Sequence, residues 1–345
     1  MKFGPVPLAQ AEGKILGHNI AGRDGQRVLR KGKALTRIDL DLLAQHGHTR
    51  VYVAELAPDD VGEDVAARAI AAAVCGPGLQ QMNAGGGRVN LLAQHLGLAR
   101  IDSAGIQAIN EIDGITLATV TAHTAVKPKQ LTATIKIIPY AVPAAAVQRA
   151  LAICHGQPLL QVDALPARRA VLLLSGLPSV RERIMQDFDA PIRNRLHALG
   201  ATLTQVDFVS LEEIEGEIPS ELRLRDTLAR HVQAGAQLIV LAGETAIMDR
   251  HDIVPRAIEQ VDGGEITCFG APVDPGNLLM IAYIGAVPLL GAPGCARSPK
   301  LNVIDYVLPR LIAGDRLTRR DISLLGAGGL LEEIAERPMP RERGR

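Results

Sequence analysis

Between residues 169 and 241 the chain reads as strand, helix, strand, helix, strand, and this alternation narrows the fold more than any other feature. Ala170-Val171-Leu172-Leu173-Leu174 is a continuous apolar strand followed by Ser175-Gly176. A helical stretch comes next, with Ile192, Leu196 and Leu199 at spacings of four and three, which puts them on one face. Thr202 to Phe208 reads as a second strand. Pro219 then opens a helix carrying Leu224, Leu228 and Val232, and Leu238-Ile239-Val240-Leu241 is a third short apolar strand. Such strands, alternating with amphipathic helices, predict an α/β domain with a mostly parallel sheet covered on both faces. In sheets of this kind ligands bind outside the carboxyl ends of the strands.

Two glycine-bearing loops leave strands at that edge. One is Ala242-Gly243-Glu244-Thr245-Ala246, running on through Ile247 and Met248 to Asp249-Arg250-His251-Asp252. The other is Gly291-Ala292-Pro293-Gly294-Cys295-Ala296-Arg297-Ser298-Pro299-Lys300, which follows Val287-Pro288-Leu289-Leu290 and enters a helical pattern near Leu301. Glycine lets backbone N–H groups approach a ligand closely, and proline shapes a loop before anything binds. Arg297, Ser298 and Lys300 offer an anion charge-assisted hydrogen bonds of about 1.5–3 kcal/mol each. A helix dipole adds only about 0.3–1 kcal/mol. The pair of loops reads as a site for an anionic small molecule.

Asp249 and Asp252, clustered with Glu244 and Arg250, are the candidate catalytic carboxylates and the candidate ligands of Mg²⁺. That ion is usually held by one or two carboxylates together with substrate phosphate and water. The competing reading makes Asp252 the N-cap of a helix with Pro255 in its first turn, worth about 1 kcal/mol. Asp274-Pro275-Gly276-Asn277 is a strong turn signal, open equally to a plain β-turn and to ligand contact. Cys295 has no His or Asn partner arguable from sequence and reads as a small core residue rather than a nucleophile. Gly85-Gly86-Gly87 reads as a flexible connector in preference to an anion-binding nest, and Gly326-Ala327-Gly328-Gly329 lacks the dinucleotide frame.

Composition removes other classes. Lys plus Arg and Asp plus Glu are equal at 37 each, so no overall field draws the chain to nucleic acid or to an anionic membrane. Aromatic residues make up 2% and Trp is absent, which leaves little for base stacking. The apolar stretch from Leu278 to Leu290 is broken by Gly285 and Pro288 and reads as two buried strands with a turn rather than a membrane span. The N-terminus has no signal-peptide core, and the four cysteines contain no CxxC pair. A soluble, cytoplasmic protein without nucleic-acid or membrane partners is expected.

The rest of the chain divides as follows. Residues 1–57 read as a β-rich module: Ile15-Leu16 and Val28-Leu29 flank a Gly22-Arg23-Asp24-Gly25 hairpin turn, and Thr36 caps a helix carrying Leu40, Leu43 and Ala44. Gly47 ends that helix and Val51-Tyr52-Val53 is the next strand. Residues 58–165 read as a mixed α+β region: an Ala-rich helical pattern from Val61 to about Leu98, cut by Cys75-Gly76-Pro77-Gly78 and again by Gly85-Gly86-Gly87, then β-rich from 101 to 142. Residues 168–315 form the α/β domain. Residues 316–345 are an extension whose charged, Pro-containing end, Glu336 to Arg345, reads as disordered.

The order of motifs in the α/β domain, Ala242-Gly243-Glu244-Thr245-Ala246, Asp249-Arg250-His251-Asp252, Pro272-Val273-Asp274-Pro275-Gly276-Asn277 and Gly291-Ala292-Pro293-Gly294, resembles the molybdopterin-binding domain shared by molybdopterin molybdotransferase and molybdopterin adenylyltransferase. The resemblance covers about residues 168 to 315. Lys31-Gly32-Lys33-Ala34-Leu35 through Val51-Tyr52-Val53 is similar to the β-rich module that precedes this domain in molybdotransferases. The resemblance implies a three-layer α/β fold that binds molybdopterin or its adenylate and inserts molybdate with Mg²⁺ and loss of AMP. It implies that the Gly243 loop contacts the ligand, that Asp252 is the acidic residue after it, and that Gly291, Pro293 and Gly294 form the second loop. A homodimer and a molybdoenzyme or another cofactor-biosynthesis protein are the partners it suggests. The family loop carries Gly-Gly and a small residue, whereas Glu244 here places a carboxylate where phosphates are expected, a repulsion of several kcal/mol at close range. Glu244 must therefore point away, be bridged by Mg²⁺, or mark a weakened transferase. A non-catalytic carrier of the cofactor and a nucleotide- or sugar-phosphate enzyme are the alternatives.

Overall fold

The computed structural model describes residues 1–22, 25–244 and 247–331. The fold is mixed α/β, in two compact units, Met1–Asp163 and Ala164–Arg345. Among the described residues no helix is long and apolar enough to cross a membrane. Arg23 and Asp24 of the expected hairpin turn, and the expected disordered end from Glu336 to Arg345, lie outside the described residues.

The first unit opens with β1 (Lys2–Pro7), β2 (Ile15–Leu16), β3 (Ile20–Ala21), β4 (Arg27–Leu29), α1 (Arg37–Gln45) and β5 (Arg50–Glu55). Helix α1 starts where the sequence suggested: the Thr36 hydroxyl accepts from the Asp39 N–H, and the Asp39 carboxylate accepts from the Thr36 N–H. Leu40 and Leu43 of this helix share a core with Leu16, Leu29, Val51 and Val53. The hairpin differs from expectation. Ile20–Ala21, not Ile15–Leu16, pairs with Arg27–Leu29, while Ile15 and Leu16 pair with Ala54 and Val53 of β5. Leu16 is thereby buried.

The unit continues with β6 (Asp60–Gly62), α2 (Glu63–Val74), β7 (Leu79–Asn83), β8 (Arg88–Ala93), β9 (Gly97–Ile101), α3 (Ser103–Asn110), β10 (Ile115–Thr119), β11 (Ala125–Val126), β12 (Leu131–Ile137), β13 (Ala141–Pro143), α4 (Ala144–Ile153) and β14 (Leu160–Ala164). Helix α2 ends at Val74, at the Cys75-Gly76-Pro77-Gly78 break, but the segments beyond it, expected to be helical to about Leu98, are strands. From Leu79 onward the buried residues Val89, Leu91 and Ala93 recur every second position, which is strand periodicity. Strands β10, β12, β8 and β7 form an antiparallel sheet in that order. Its Val89, Leu91, Ile135 and Ile137 pack with Ala67, Ile70 and Val74 of α2. Gly85, Gly86 and Gly87 turn the chain from β7 to β8 with φ of 72°, 58° and 69°, and the Gly87 N–H donates to Asp64 Oδ1 at 2.7 Å.

The second unit contains β15 (Arg169–Gly176), α5 (Arg181–Ala198), β16 (Thr202–Ser210), α6 (Ser220–Gln233), β17 (Leu238–Gly243), α7 (Ile253–Glu259), β18 (Gly264–Phe269), β19 (Met280–Ile284), β20 (Val287–Gly291), α8 (Ile304–Ala313) and α9 (Arg319–Ser323). They build one six-stranded sheet in the order β16-β15-β17-β20-β19-β18. The pairings β15–β16, β15–β17 and β17–β20 are parallel, and the two involving β19 are antiparallel. Val171, Leu173, Ile239 and Leu241 pack on one face with Leu224 and Leu228 of α6 and Ala257 and Ile258 of α7. The apolar stretch ending at Leu290 is the hairpin β19–β20, turned at Gly285 with φ 57°.

Helix α9 is tied down by charge. Its capping box joins Thr318 and Asp321, and Arg310 bridges Asp315 and Asp321 at 2.9 Å each. Burial works against the Asp321 charge, but hydrogen bonds from the Thr318 hydroxyl, the Arg310 guanidinium and the Thr318 N–H outweigh it and pull the pKa from 3.8 to about 2. The unfolded chain therefore binds the proton more tightly than the folded one. The stabilisation is complete above pH 3.8 and is lost as pH falls through about 2. Denaturant midpoints of the native protein and Asp321→Asn should differ at pH 6 and converge near pH 2. A constant gap across that window would count against this account.

Candidate functional site

Parallel register lines up the carboxyl ends of the strands. Gly176 stands opposite Ser210, Ser175 opposite Gly243, and Leu241 opposite Gly291. From β15 the chain moves outward to β16 and returns to β17 on the other side of β15, so strand order reverses between β15 and β17. The crevice at such a switch point is the usual ligand position in open α/β sheets. The two glycine loops meet beside it. The Ala292 N–H donates to the Leu241 carbonyl at 2.7 Å. Ile247 comes back over Gly291, where a Cβ would fall 3.0 Å from Ile247 Cδ1 and 2.8 Å from Met280 Cβ. Close packing demands glycine at 291.

Glu244 lies across the crevice. Its N–H donates to the Ser175 carbonyl at 2.9 Å, and its Oε2 accepts the Leu177 N–H at 3.1 Å. A Cβ on Gly176 would sit 3.0 Å from Glu244 Cβ, so the two loops touch at that point. Beneath them is a void of about 20 Å³ lined by Leu173, Ser175, Leu241, Gly243, Ile247 and Ala292, room for about one water molecule. Ser175 is 6% exposed, and its hydroxyl has no hydrogen-bond partner among the described residues. Thr245 lies outside the described residues.

Beyond Pro293 the second loop forms a short 3₁₀ turn, Gly294–Arg297. Arg195 of α5 holds it from within: Nε donates to Asp305 Oδ1 at 2.9 Å, Nη1 to the Ala296 carbonyl at 3.2 Å, and Nη2 to the Ser298 and Lys300 carbonyls at 2.8 and 3.1 Å. Asn302, fully buried, donates to the Cys295 and Lys300 carbonyls and accepts from the Ile304 N–H. The Ser298 hydroxyl accepts the Lys300 N–H at 3.1 Å. Arg297 remains half exposed, with Nε on the Gly294 carbonyl at 3.1 Å and Nη1 3.5 Å from Asp187. Its guanidinium lies 5.8 Å from the Phe188 ring centre.

The turn at Asp274 joins this loop. Asp274 accepts from the Leu331 N–H and donates to the Gly329 carbonyl, both at 2.8 Å, and the Val303 N–H donates to the Pro275 carbonyl at 3.2 Å. Gly276 has φ +140°, and a Cβ there would lie 2.5 Å from Val303 Cβ. Pro275, Cys295, Ser298, Lys300, Leu301 and Asn302 line a recess of about 170 Å³. Burial pushes the Cys295 thiol up, and its own N–H and Arg195 pull it back only in part, while Asp274 and Asp305 push it further up. A thiol so placed stays protonated at neutral pH and is a poor nucleophile.

The two acidic candidates have local bonds. Asp252 is the N-cap of α7: Oδ1 accepts the Ile253 N–H at 2.9 Å and Oδ2 the Met248 N–H at 3.3 Å. Asp249 is exposed, and the His251 N–H and ring hold its carboxyl below the usual range. Among the described residues no group of three or more His, Cys, Asp or Glu side chains is arranged to hold a metal ion. Asp252→Ala is expected to lower stability by about 1 kcal/mol, read by urea denaturation, with ligand affinity unchanged. Lost binding at unchanged stability would return Asp252 to a metal or ligand role.

Sequence reasoning brought Gly243, Glu244, Gly291, Pro293 and Gly294 to one edge, with Asp274, Gly276, Arg297, Ser298 and Lys300 around the same second loop. It missed Arg195, Asp187 and the Leu177 N–H. Leu177 had a signal, since Ser175-Gly176 closes a strand ahead of a helix. Arg195 had none.

A family profile described as Domain of unknown function (DUF8806) matches residues 5–55. No curated protein matches the chain. Among solved structures, a molybdenum cofactor biosynthesis protein from Pyrococcus furiosus is 11% identical at a TM-score of 0.24, covering 91% of this chain. This chain spans 64% of that protein's length. Two structures of the molybdopterin biosynthesis MoeA protein from Pyrococcus horikoshii are 12% and 10% identical, with TM-scores of 0.29 and 0.27. Each covers 91% of this chain, matched over 75% and 74% of its own.

Proposed function

We propose that this protein binds molybdopterin, free or adenylated, at the carboxyl edge of its six-stranded sheet, and acts in molybdenum cofactor biosynthesis as a carrier of that ligand. The observation that carries the reading is the register that sets Leu241 opposite Gly291 and so brings the Gly243 loop and the Gly291–Gly294 loop to one crevice at the switch point. These are the segments in which the sequence resembles the molybdopterin-binding domain. Arg297 supplies an exposed cation on the second loop, suited to a phosphate. Molybdotransferase activity is the second reading. Two features favour binding without turnover: the Glu244 carboxylate in the crevice and the local bonds that occupy both oxygens of Asp252.

The test is to incubate the full chain with adenylated molybdopterin, Mg²⁺ and molybdate, and to follow both bound pterin and released AMP. Tight binding without AMP supports the carrier. Stoichiometric or greater release of AMP establishes the transferase. Absence of binding, or a non-pterin phosphate identified by mass spectrometry as the co-purifying ligand, would refute the pterin reading.

A further inference from the structure

Glu244 is more than a departure from the expected loop, because the structure shows what its carboxylate does. It accepts the Leu177 N–H at 3.1 Å, the donor that an incoming anion would otherwise find where β15 ends. The side chain is exposed, and Oε1 has no partner among the described residues. A carboxylate only accepts hydrogen bonds, and so does an ionised phosphate, so the two cannot share this position without a cation between them. The neighbouring Ser175 hydroxyl, 6% exposed and unpartnered among the described residues, lines the void below Gly243 and can both give and take a hydrogen bond. The Gly294–Arg297 turn after the Gly291 loop carries the half-exposed Arg297 guanidinium, 3.5 Å from the Asp187 carboxylate. The edge is therefore polarised, an acceptor at the β15–β17 crevice and a cation at the loop after β20.

We propose that Glu244 is the specificity-determining residue of the crevice: its carboxylate excludes phosphate from the switch point and receives instead an uncharged N–H donor edge, that of an aminopyrimidinone ring. This inference rests on the reading of the carboxyl edge as the ligand site, and it adds the direction in which the ligand lies. The ring edge meets Oε1 of Glu244, and the phosphate end is left for Arg297. The experiment titrates inorganic pyrophosphate, and separately a neutral pterin without phosphate, into the full-length protein and into E244Q and E244A, in the absence of divalent cations. E244Q keeps an oxygen for the Leu177 N–H while the charge is lost and the other oxygen becomes an NH2 donor, and circular dichroism with matched thermal melting checks that both variants fold. Both variants should bind pyrophosphate at least tenfold more tightly than the native protein, and E244A should bind the neutral pterin at least tenfold more weakly. Equal affinities for both probes in all three proteins overturn the role of Glu244 and leave the ligand site standing. Binding of neither probe by any of the three overturns the role of Glu244 and the crevice together. A gain for pyrophosphate without loss of pterin overturns the donor-edge half.

Discussion

Arg195→Ala should release the Gly294–Lys300 loop and cost the second unit about 3 kcal/mol. The side chain is 10% exposed and forms an ion pair with Asp305 in the first turn of α8. It also satisfies the Ala296, Ser298 and Lys300 carbonyls. Breaking a buried pair by removing one partner costs about 3–5 kcal/mol. Asp305 is 27% exposed and regains part of this from water, which sets the lower figure. Arg195→Lys keeps the charge but not the planar fork that reaches several carbonyls at once, so it should recover only part of the loss. Urea denaturation gives the stability, and hydrogen exchange over residues 294–300 gives the loop. Stability within about 0.5 kcal/mol of the native protein together with unchanged exchange would contradict this view of the loop. Ligand affinity should fall with it, because Arg297 rides on the same turn.

Gly276→Ala is the second large effect, expected at about 3 kcal/mol. Its φ of +140° is a conformation that L residues rarely adopt, a strain of about 1–3 kcal/mol. The added Cβ would also lie 2.5 Å from Val303 Cβ and 3.2 Å from the Val303 nitrogen. Overpacking of this kind costs about 1–3 kcal/mol more. The turn must then move off α8, breaking the Val303 N–H bond to the Pro275 carbonyl and opening the recess beside Cys295. A crystal structure of the variant, or its denaturation midpoint, decides the matter. A variant as stable as the native chain would show that the turn is free to shift. As a control, Gly85→Ala meets nothing within 4 Å, so only its positive φ of 72° opposes the change.

Much of the second unit could be read from residue order because its signals are local. Ala170–Leu174 and Leu238–Leu241 are apolar on both faces, and Ile192 with Leu196, or Leu224 with Leu228, repeats at the helical interval. Each pattern needs only its own neighbours, and each became the element expected. The capping residues Thr36 and Asp252 belong with them, since a cap acts within one turn. A hairpin does form around Gly22, with Ile20–Ala21 rather than Ile15–Leu16 as its first strand, and the segments after the break at Cys75 read as helix because alanine and short apolar pairs suit either a helix or a strand. There burial against other strands chose between them.

What residue order left open depends on groups far apart in the chain. No local pattern says that Arg195 will bond carbonyls about a hundred positions onward, that Glu244 will accept the Leu177 N–H, or that Gly276 exists to clear Val303. Those contacts arise only when parallel register and the packing of α5 and α8 bring distant backbone together. Hydrogen bonds reach about 3 Å and are directional, so their partners are settled by tertiary geometry. Apolar periodicity, which asks only for a buried face, is settled earlier, in the sequence.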